Sequence, residues 1–331
     1  MGCFAGMLTA CADQPAFRTD RAMQPVVVRP ASPIPFAPYY ASLPDTDIDR
    51  WMNETGDKFL TLAFYNSGGA CSGRWEEDNE TKLIAIADAL RARGGQVIVS
   101  SGGWNAPDIV ADCADPAKIA DIYDGVLTRL GTDYLDLDAE PGDIHNNLLP
   151  DIVDRRSTAV KLLQDRFASR GKTLHVSLTL AIRPAFGFDA ENFYFLQSAK
   201  KAGLVFDVVN PMIMDYRDGV SGPKMGERSI LALEKGEAQL RSLLPGKNEA
   251  EYWSMMAATA MIGQNDAEPE TFTLEDAHGL LDFARAKGMA RLSFWAIDRD
   301  NGNCAGDKVA NPACSGIRQE KWAFSRLFGA Y

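Results

Sequence analysis

The sequence predicts an α/β fold, a closed (β/α)8 barrel, and three observations lead there. From Ile34 onward, eight short β-branched or aromatic runs alternate with amphipathic helical runs. Successive strand candidates are separated by enough chain for a crossover helix, which parallel strands require. The open, doubly wound alternative normally carries a Gly-rich phosphate turn after its first strand. In this chain Tyr65-Asn66-Ser67-Gly68-Gly69 lacks the full G-x-G-x-x-G spacing.

In chain order the strand candidates are Phe36–Ser42, Phe59–Tyr65, Gln96–Ser101 and Tyr134–Glu140. Leu174–Leu180, Asp207–Met214, Tyr252–Met261 and Leu292–Ile297 follow. Between them, helical periodicity covers Glu80–Arg93, Pro116–Leu130, Asp151–Arg170, Ala190–Ala202, Glu227–Leu243 and Thr273–Lys287. Asp115-Pro116 places proline at a first helical position, and Thr273-Leu274-Glu275-Asp276 resembles a cap. Gly94-Gly95, Gly171, Gly203 and Gly288 supply stops. Only about thirty residues separate strands seven and eight, enough for a loop and one helix. The barrel is therefore expected without a large insertion there.

The chain has 331 residues, a length that one barrel domain of ~250 residues or more can fill. Asp and Glu outnumber Lys and Arg by 45 to 34, giving a net charge of −11. So acidic a chain is a poor binder of phosphate backbones, and charge alone disfavours nucleic acid as a partner. No run of about 18 apolar residues is present, so no spanning helix is expected. The six cysteines and three histidines show neither C-x-x-C nor clustered metal spacing, which argues against zinc. Cys71, Cys113, Cys304 and Cys314 suit either two disulfides in an oxidising compartment or four buried thiols.

The N-terminus bears on that choice. Leu8-Thr9-Ala10-Cys11 resembles a bacterial lipoprotein processing site, with Cys11 as the residue to be lipidated. The usual basic stretch is missing, since the first positive side chain is Arg18. Two readings stay open, a start lying further upstream or a chance match. Residues 1–11 are thus read as a lipobox-like segment and 12–33 as a proline-rich tether. Residues 34–331 are read as the barrel, lifted off a surface. An extracytoplasmic, secreted or lipid-anchored monomer is the expectation.

The chemistry concentrates in Thr132-Asp133-Tyr134-Leu135-Asp136-Leu137-Asp138-Ala139-Glu140-Pro141. Side chains alternate along a strand, so Asp136, Asp138 and Glu140 share one face and the leucines the other. In a barrel the leucines meet the helices and the acids point inward. Clustered, desolvated carboxylates repel and acquire raised pKa values, which suits general acid catalysis near neutral pH. An edge strand with a solvated acidic face, or a magnesium or calcium site, fits the bare pattern too.

Asp133-x-x-Asp136-x-Asp138-x-Glu140 resembles the D-x-x-D-x-D-x-E signature of glycoside hydrolase family 18, the chitinases, in a bacterial branch. Ser100-Ser101-Gly102-Gly103 is similar to the family's S-x-G-G at strand three. Met212-Ile213-Met214-Asp215-Tyr216 resembles the strand-six ending, and Met261-Ile262-Gly263-Gln264-Asn265-Asp266 the strand-seven ending. Ser293-Phe294-Trp295 resembles strand eight with its tryptophan floor. Cys304 and Cys314-Ser315-Gly316-Ile317 resemble the branch's tail. Two positions depart: Tyr134 stands where many members have glycine, and Arg217 where many have aspartate.

The resemblance implies substrate-assisted retaining hydrolysis of β-1,4-linked N-acetylglucosamine polymers, with no cofactor and no metal. Glu140 is the implied general acid and Asp138 orients the substrate acetamide. Asp136 shares a proton with Asp138, and Tyr216 donates its hydroxyl to the acetamide oxygen. Trp295 stacks under the sugar, with Met214, Asp215 and Gly103 beside it. Gln264 and Asn265 are candidate sugar hydrogen-bonders, and Trp75 and Trp104 candidate loop platforms. Each has a plainer reading: core filler for the tryptophans and methionines, a tight turn for Gly103, capping for Gln264 and Asn265. Cys71 is expected to pair with Cys113, since both follow neighbouring strands, and Cys304 with Cys314 across one loop. An open cleft favours endo-acting cleavage of chitin. An endo-β-N-acetylglucosaminidase acting on N-glycans shares all these residues. A non-catalytic glycan-binding protein typically loses one of the acids, and all four are present.

Overall fold

The computed structural model describes residues 1–2, 34–76, 80–104, 107–142, 146–218 and 225–331. The lipobox-like segment with Cys11 and the tether at 12–33 lie outside the described residues.

Eight parallel strands form one sheet in strict chain order. They are β1 (Tyr39–Tyr40), β2 (Phe59–Leu62), β3 (Gln96–Gly102) and β4 (Tyr134–Asp138), then β5 (His175–Ala181), β6 (Val208–Met212), β7 (Ala257–Met261) and β8 (Arg291–Trp295). The first and last strands meet through a parallel bridge between Phe36 and Leu292, with Ala37 N donating to Leu292 O at 3.2 Å. The sheet closes into the expected barrel. Each strand is followed by a helix: α1 (Ile48–Thr55), α2 (Glu80–Ala92), α3 (Pro116–Leu130), α4 (Pro150–Ser169), α5 (Ala190–Ala202), α6 (Met225–Leu243), α7 (Leu274–Lys287) and α8 (Ala323–Phe328). None among the described residues is long and apolar enough to cross a membrane.

The two-residue period of the strands sorts side chains as expected. Leu135, Leu137, Val176, Leu178, Leu292 and Phe294 face outward and join the buried layer under the helices. Asp136, Ser177, Thr179, Asn210 and Thr259 carry polar bonds of the interior and are buried there, with Asp138 buried beside them. Asp115 caps α3 ahead of Pro116, and Thr273 and Asp276 form a capping box on α7. Gly131, Gly203 and Gly288 end their helices in the left-handed conformation.

Strand bounds shift from the sequence reading by up to five residues, and three shifts have a structural cause. Asn248 and Glu251 form a capping box that turns Glu249–Trp253 into a short helix, so β7 begins at Ala257 rather than Tyr252. After β2 the chain leaves the barrel as an antiparallel hairpin, Tyr65–Ser67 against Gly73–Trp75. Beyond β8, Ile297–Arg299 is a 3-10 turn. Between β7 and β8, where every residue is described, lie only a small hairpin (Gly263–Gln264 with Thr271–Phe272) and α7. That connection carries no inserted domain.

Both cysteine pairs are disulfide-bonded. Cys71–Cys113 ties the β2 hairpin to the loop after β3, with Cα atoms 4.7 Å apart, and Cys304–Cys314 closes a loop beyond β8 at 5.9 Å.

Candidate active site

Asp136 sits at the centre of the barrel, 1% exposed. Four hydroxyls from three other strands donate to it. Tyr39 Oη (2.9 Å) and Ser100 Oγ (2.7 Å) bond Oδ2, while Ser177 Oγ (2.5 Å) and Thr179 Oγ1 (2.8 Å) bond Oδ1. The cage extends sideways: Asn210 Nδ2 donates to Thr179 Oγ1 at 2.9 Å, and Thr259 Oγ1 to Asn210 Oδ1 at 2.9 Å. Charge-assisted bonds of this kind fix a carboxylate in place. Hydroxyls, not Asp138, therefore occupy the oxygens of Asp136.

One step toward the mouth, Asp138 is buried and its Oδ1 has no hydrogen-bond partner. Burial first, and then the charges of Glu140 and Asp136, push its carboxyl well above the usual range. Glu140 follows at the end of β4, half-buried, and its pKa is pushed up to about 7. Desolvation is the main cause, with Asp215 and Asp266 adding to it and Arg217 opposing. A carboxylic acid that is half protonated near neutrality can deliver a proton there.

Glycines let the neighbouring strand approach this ladder. Gly103 N donates to Asp138 O at 2.8 Å, and a Cβ on Gly103 (φ +80°) would lie 2.6 Å from the ring of Phe64. Phe64 in turn stacks on Trp295, with ring centroids 5.6 Å apart and planes at 14°. Tyr39 packs on the same indole at 6.0 Å. Trp295 is half-buried and forms an aromatic floor together with Phe64.

The β6 ending departs from simple alternation. Met214 is half-buried as expected. Asp215 then takes a left-handed φ of +48°, which breaks the two-residue parity. Tyr216 is carried outward in consequence. It is 2% exposed, its hydroxyl donates to Ser229 Oγ of α6 at 3.2 Å, and the Arg228 guanidinium lies over its ring. The expected acetamide donor thus faces the helical layer. Asp215 instead lies within electrostatic reach of Glu140, accepts from Ala267 N at 2.8 Å, and has a pKa raised by burial to about 6.

Two other expectations change, those for Asn265 and Trp75. Asn265 is 1% exposed, and its amide donates to the carbonyls of Met261 and Gly263 while its oxygen accepts from Asp215 N. It fastens the ends of β6 and β7 and has nothing left for a sugar. Trp75 is 7% exposed and packs on Tyr65 within the hairpin at 5.2 Å, so it is core rather than platform. Gln264 is half-buried, with Oε1 accepting from Thr271 Oγ1 at 2.9 Å. Trp104 is half-buried at the cleft edge, with the guanidinium of Arg217 5.5 Å from its ring centroid.

Sequence reasoning missed the hydroxyl cage (Tyr39, Ser177, Thr179), the stacking Phe64 and the buried Glu270. Inward parity on β1 and β5 was the available signal for the first three. Glu270 accepts from the backbone amides of Tyr216 and Arg217 at 2.9 and 3.0 Å, across 54 and 53 residues of chain, and no local pattern marks it.

No family model matches the chain. It is 32% identical over 314 residues to a probable bifunctional chitinase/lysozyme of Escherichia coli K12, covering 89% of this chain and 34% of that protein. It is 31% identical over 277 residues to endochitinase 11 of Metarhizium anisopliae, covering 80% of this chain and 52% of that protein. The chain therefore spans about a third and about half the length of these relatives. Among solved structures, active domain 2 of a thermostable Pyrococcus furiosus chitinase superposes with a TM-score of 0.79 at 31% identity. That match covers 91% of this chain and 96% of the domain, which was solved as catalytic-site mutants complexed with chito-oligosaccharides. The chain belongs to glycoside hydrolase family 18, the chitinases. In this family 18 barrel Asp136 and Asp138 lie on β4 with Glu140 just beyond, Trp295 ends β8, and both expected disulfides form. The strand-six tyrosine is the member turned away.

Proposed function

We propose that this family 18 chain hydrolyses β-1,4-linked N-acetylglucosamine polymers by substrate assistance, with Glu140 as general acid. One observation carries the reading: a protonatable Glu140 ends an inward ladder whose next member, Asp138, has a buried carboxyl oxygen without a partner. Glu140 gives its proton to the glycosidic oxygen as the bond to the anomeric carbon breaks. The acetamide oxygen of the same sugar bonds that carbon, forming an oxazolinium ion. Asp138 accepts from the acetamide nitrogen through its unpartnered Oδ1 and holds the acetamide in line. Water then attacks the anomeric carbon, Glu140 takes its proton, and the ring opens. Asp136 contributes by being immobile: its hydroxyl cage fixes the electrostatic setting in which Asp138 works. The floor of Trp295 and Phe64 packs against the sugar face.

The short connection between β7 and β8 leaves one wall of the cleft low, which favours endo-acting cuts in chitin. The disulfides fit an oxidising compartment, and we place the protein outside the cytoplasm, with Cys11 as its lipid anchor and a monomeric barrel. Release of fluorophore from a chito-oligosaccharide by the purified protein tests the activity. Its absence, alongside release of glycan from a high-mannose glycopeptide, would move the substrate to N-glycans.

A further inference from the structure

Arg217 follows the turn that ends β6, and the structure gives it a defined setting. Its backbone adopts a left-handed φ of +50°, unusual for an arginine. The turn is held from outside. Glu270, 6% exposed and arriving from the β7 loop, spends both carboxylate oxygens on the amides of Tyr216 and Arg217. The same loop holds Asp215 through Ala267 N and Asn265 Oδ1. So braced, the guanidinium reaches across from the strand-six side of the cleft to the face of Trp104 beyond strand three.

The charges around it are acidic. Glu140 comes from β4, Asp215 from the same turn and Asp266 from the β7 loop, while Asp218 is committed to Arg228 of α6. Among the charges acting on Glu140, Asp215 and Asp266 raise its pKa and Arg217 lowers it. Arg217 also lowers that of Asp215. Removing this cation would leave Glu140 under the charges of Asp215 and Asp266, a setting attractive to an ammonium group.

We propose that Arg217, braced by Glu270 over Trp104, makes the cleft reject a cationic, deacetylated glucosamine unit at the position beside Trp104. This rests on the reading of the chain as an enzyme of N-acetylglucosamine polymers. The guanidinium stands over one face of the indole, so a sugar packed against the remaining indole surface lies beside it. A neutral acetamide there meets it at no charge penalty, and its carbonyl oxygen can accept a hydrogen bond from it. An ammonium at the same carbon meets a like charge. The discrimination is separate from the acetamide demanded at the cleaved bond, because Trp104 lies just beyond β3 and Trp295 ends β8.

Partially acetylated chitosan tests this directly. Products of wild type, Arg217→Ala, Arg217→Asp and Arg217→Lys are sequenced by mass spectrometry after reducing-end labelling. In wild type, one position near the cut besides the cleaved sugar excludes glucosamine. Arg217→Ala admits it there about fivefold more often, Arg217→Asp more still, and Arg217→Lys largely preserves the exclusion, the size being that of a half-screened charge pair. High salt narrows the difference between wild type and Arg217→Ala. Identical product composition for wild type and Arg217→Ala overturns the proposal. A fully acetylated chito-hexaose is digested in parallel. If wild type leaves it intact, the functional reading itself has failed; if wild type cuts it while composition is unchanged, only the role of Arg217 has.

Discussion

Gly102 touches Asp138 so closely that a Cβ built on it would lie 1.7 Å from the Asp138 carbonyl oxygen. Its φ of +122° is also one that L side chains rarely adopt. The glycine pair ending β3 is thus a packing requirement of the strand that carries the acids. Gly102→Ala should destabilise the fold by at least about 3 kcal/mol, combining overpacking with backbone strain. Gly171→Ala, at φ +70° with nothing within 4 Å, should lose less. Denaturant midpoints of the two variants, compared at unchanged m-value, decide the point. Equal losses would mean that the strand contact is soft.

The outward turn of Tyr216 separates two views of this residue. If its hydroxyl serves only Ser229, Tyr216→Phe should lose about 1 kcal/mol of stability and keep more than about a third of the activity. A hydroxyl engaged with the reacting acetamide would make the same change cost roughly a hundredfold or more in kcat. A loss of that size with the melting temperature unchanged would return Tyr216 to the reaction centre.

Glu140→Gln should reduce kcat by at least about 10²–10⁴-fold while leaving oligosaccharide binding largely intact, because the amide keeps the shape and cannot deliver a proton. Wild-type activity should fall on the alkaline side as Glu140 loses its proton around pH 7. Asp215→Asn should move that limb to lower pH, since the Asp215 charge raises the pKa of Glu140. The stability consequence has a definite sign. A buried acid with a folded pKa of about 7 and an ordinary unfolded value imposes no penalty below about pH 4.3 and its full penalty above pH 7. Glu140→Gln should therefore melt higher than wild type at pH 8 and no higher at pH 4. A variant that melts lower at both would show that Glu140 is not held against its preferred charge state.

How much of this was legible in the sequence follows from the range of each signal. The ladder was legible because a strand has a period of two: three acids alternating with leucine, leucine and alanine can only face one way. The barrel was legible for the same reason repeated eight times, and the glycine stops marked most helix ends. The hydroxyl cage was not, because Tyr39, Ser100, Ser177 and Thr179 lie 97, 36, 41 and 43 residues from Asp136 and meet only on closure. Tyr216 was misplaced because parity was extended past Asp215, where a non-glycine residue enters the left-handed region. Nothing in the residue type announces that turn. Its cause is Glu270, again distant in sequence. Trp75 was misplaced because a hairpin folds its loop back onto Tyr65.

The substrate-assisted step makes a sharper demand than the acid does. Asp138 lies two residues before Glu140 on the same face, under about 7 Å along the strand at a rise near 3.3 Å per residue. Its buried Oδ1 lacks a partner, and its raised pKa marks it as a poor free carboxylate nucleophile at neutral pH. Asp136, further in, is enclosed by four hydroxyls and cannot reach an anomeric carbon. The nucleophile must then come with the substrate, as an N-acetyl group on the sugar at the cleaved bond. Cello-oligosaccharides and fully deacetylated chitosan should not be cut at a measurable rate, whatever their affinity. Chitin oligomers should release a first product in the β-anomeric configuration, because two displacements at one carbon restore the original stereochemistry. Proton NMR of fresh digests resolves the anomers before they interconvert. A first-formed α-anomer would require direct attack by water, with Asp138 or Asp215 as its base, and brisk cleavage of a glucan would make a protein carboxylate the nucleophile in place of the acetamide.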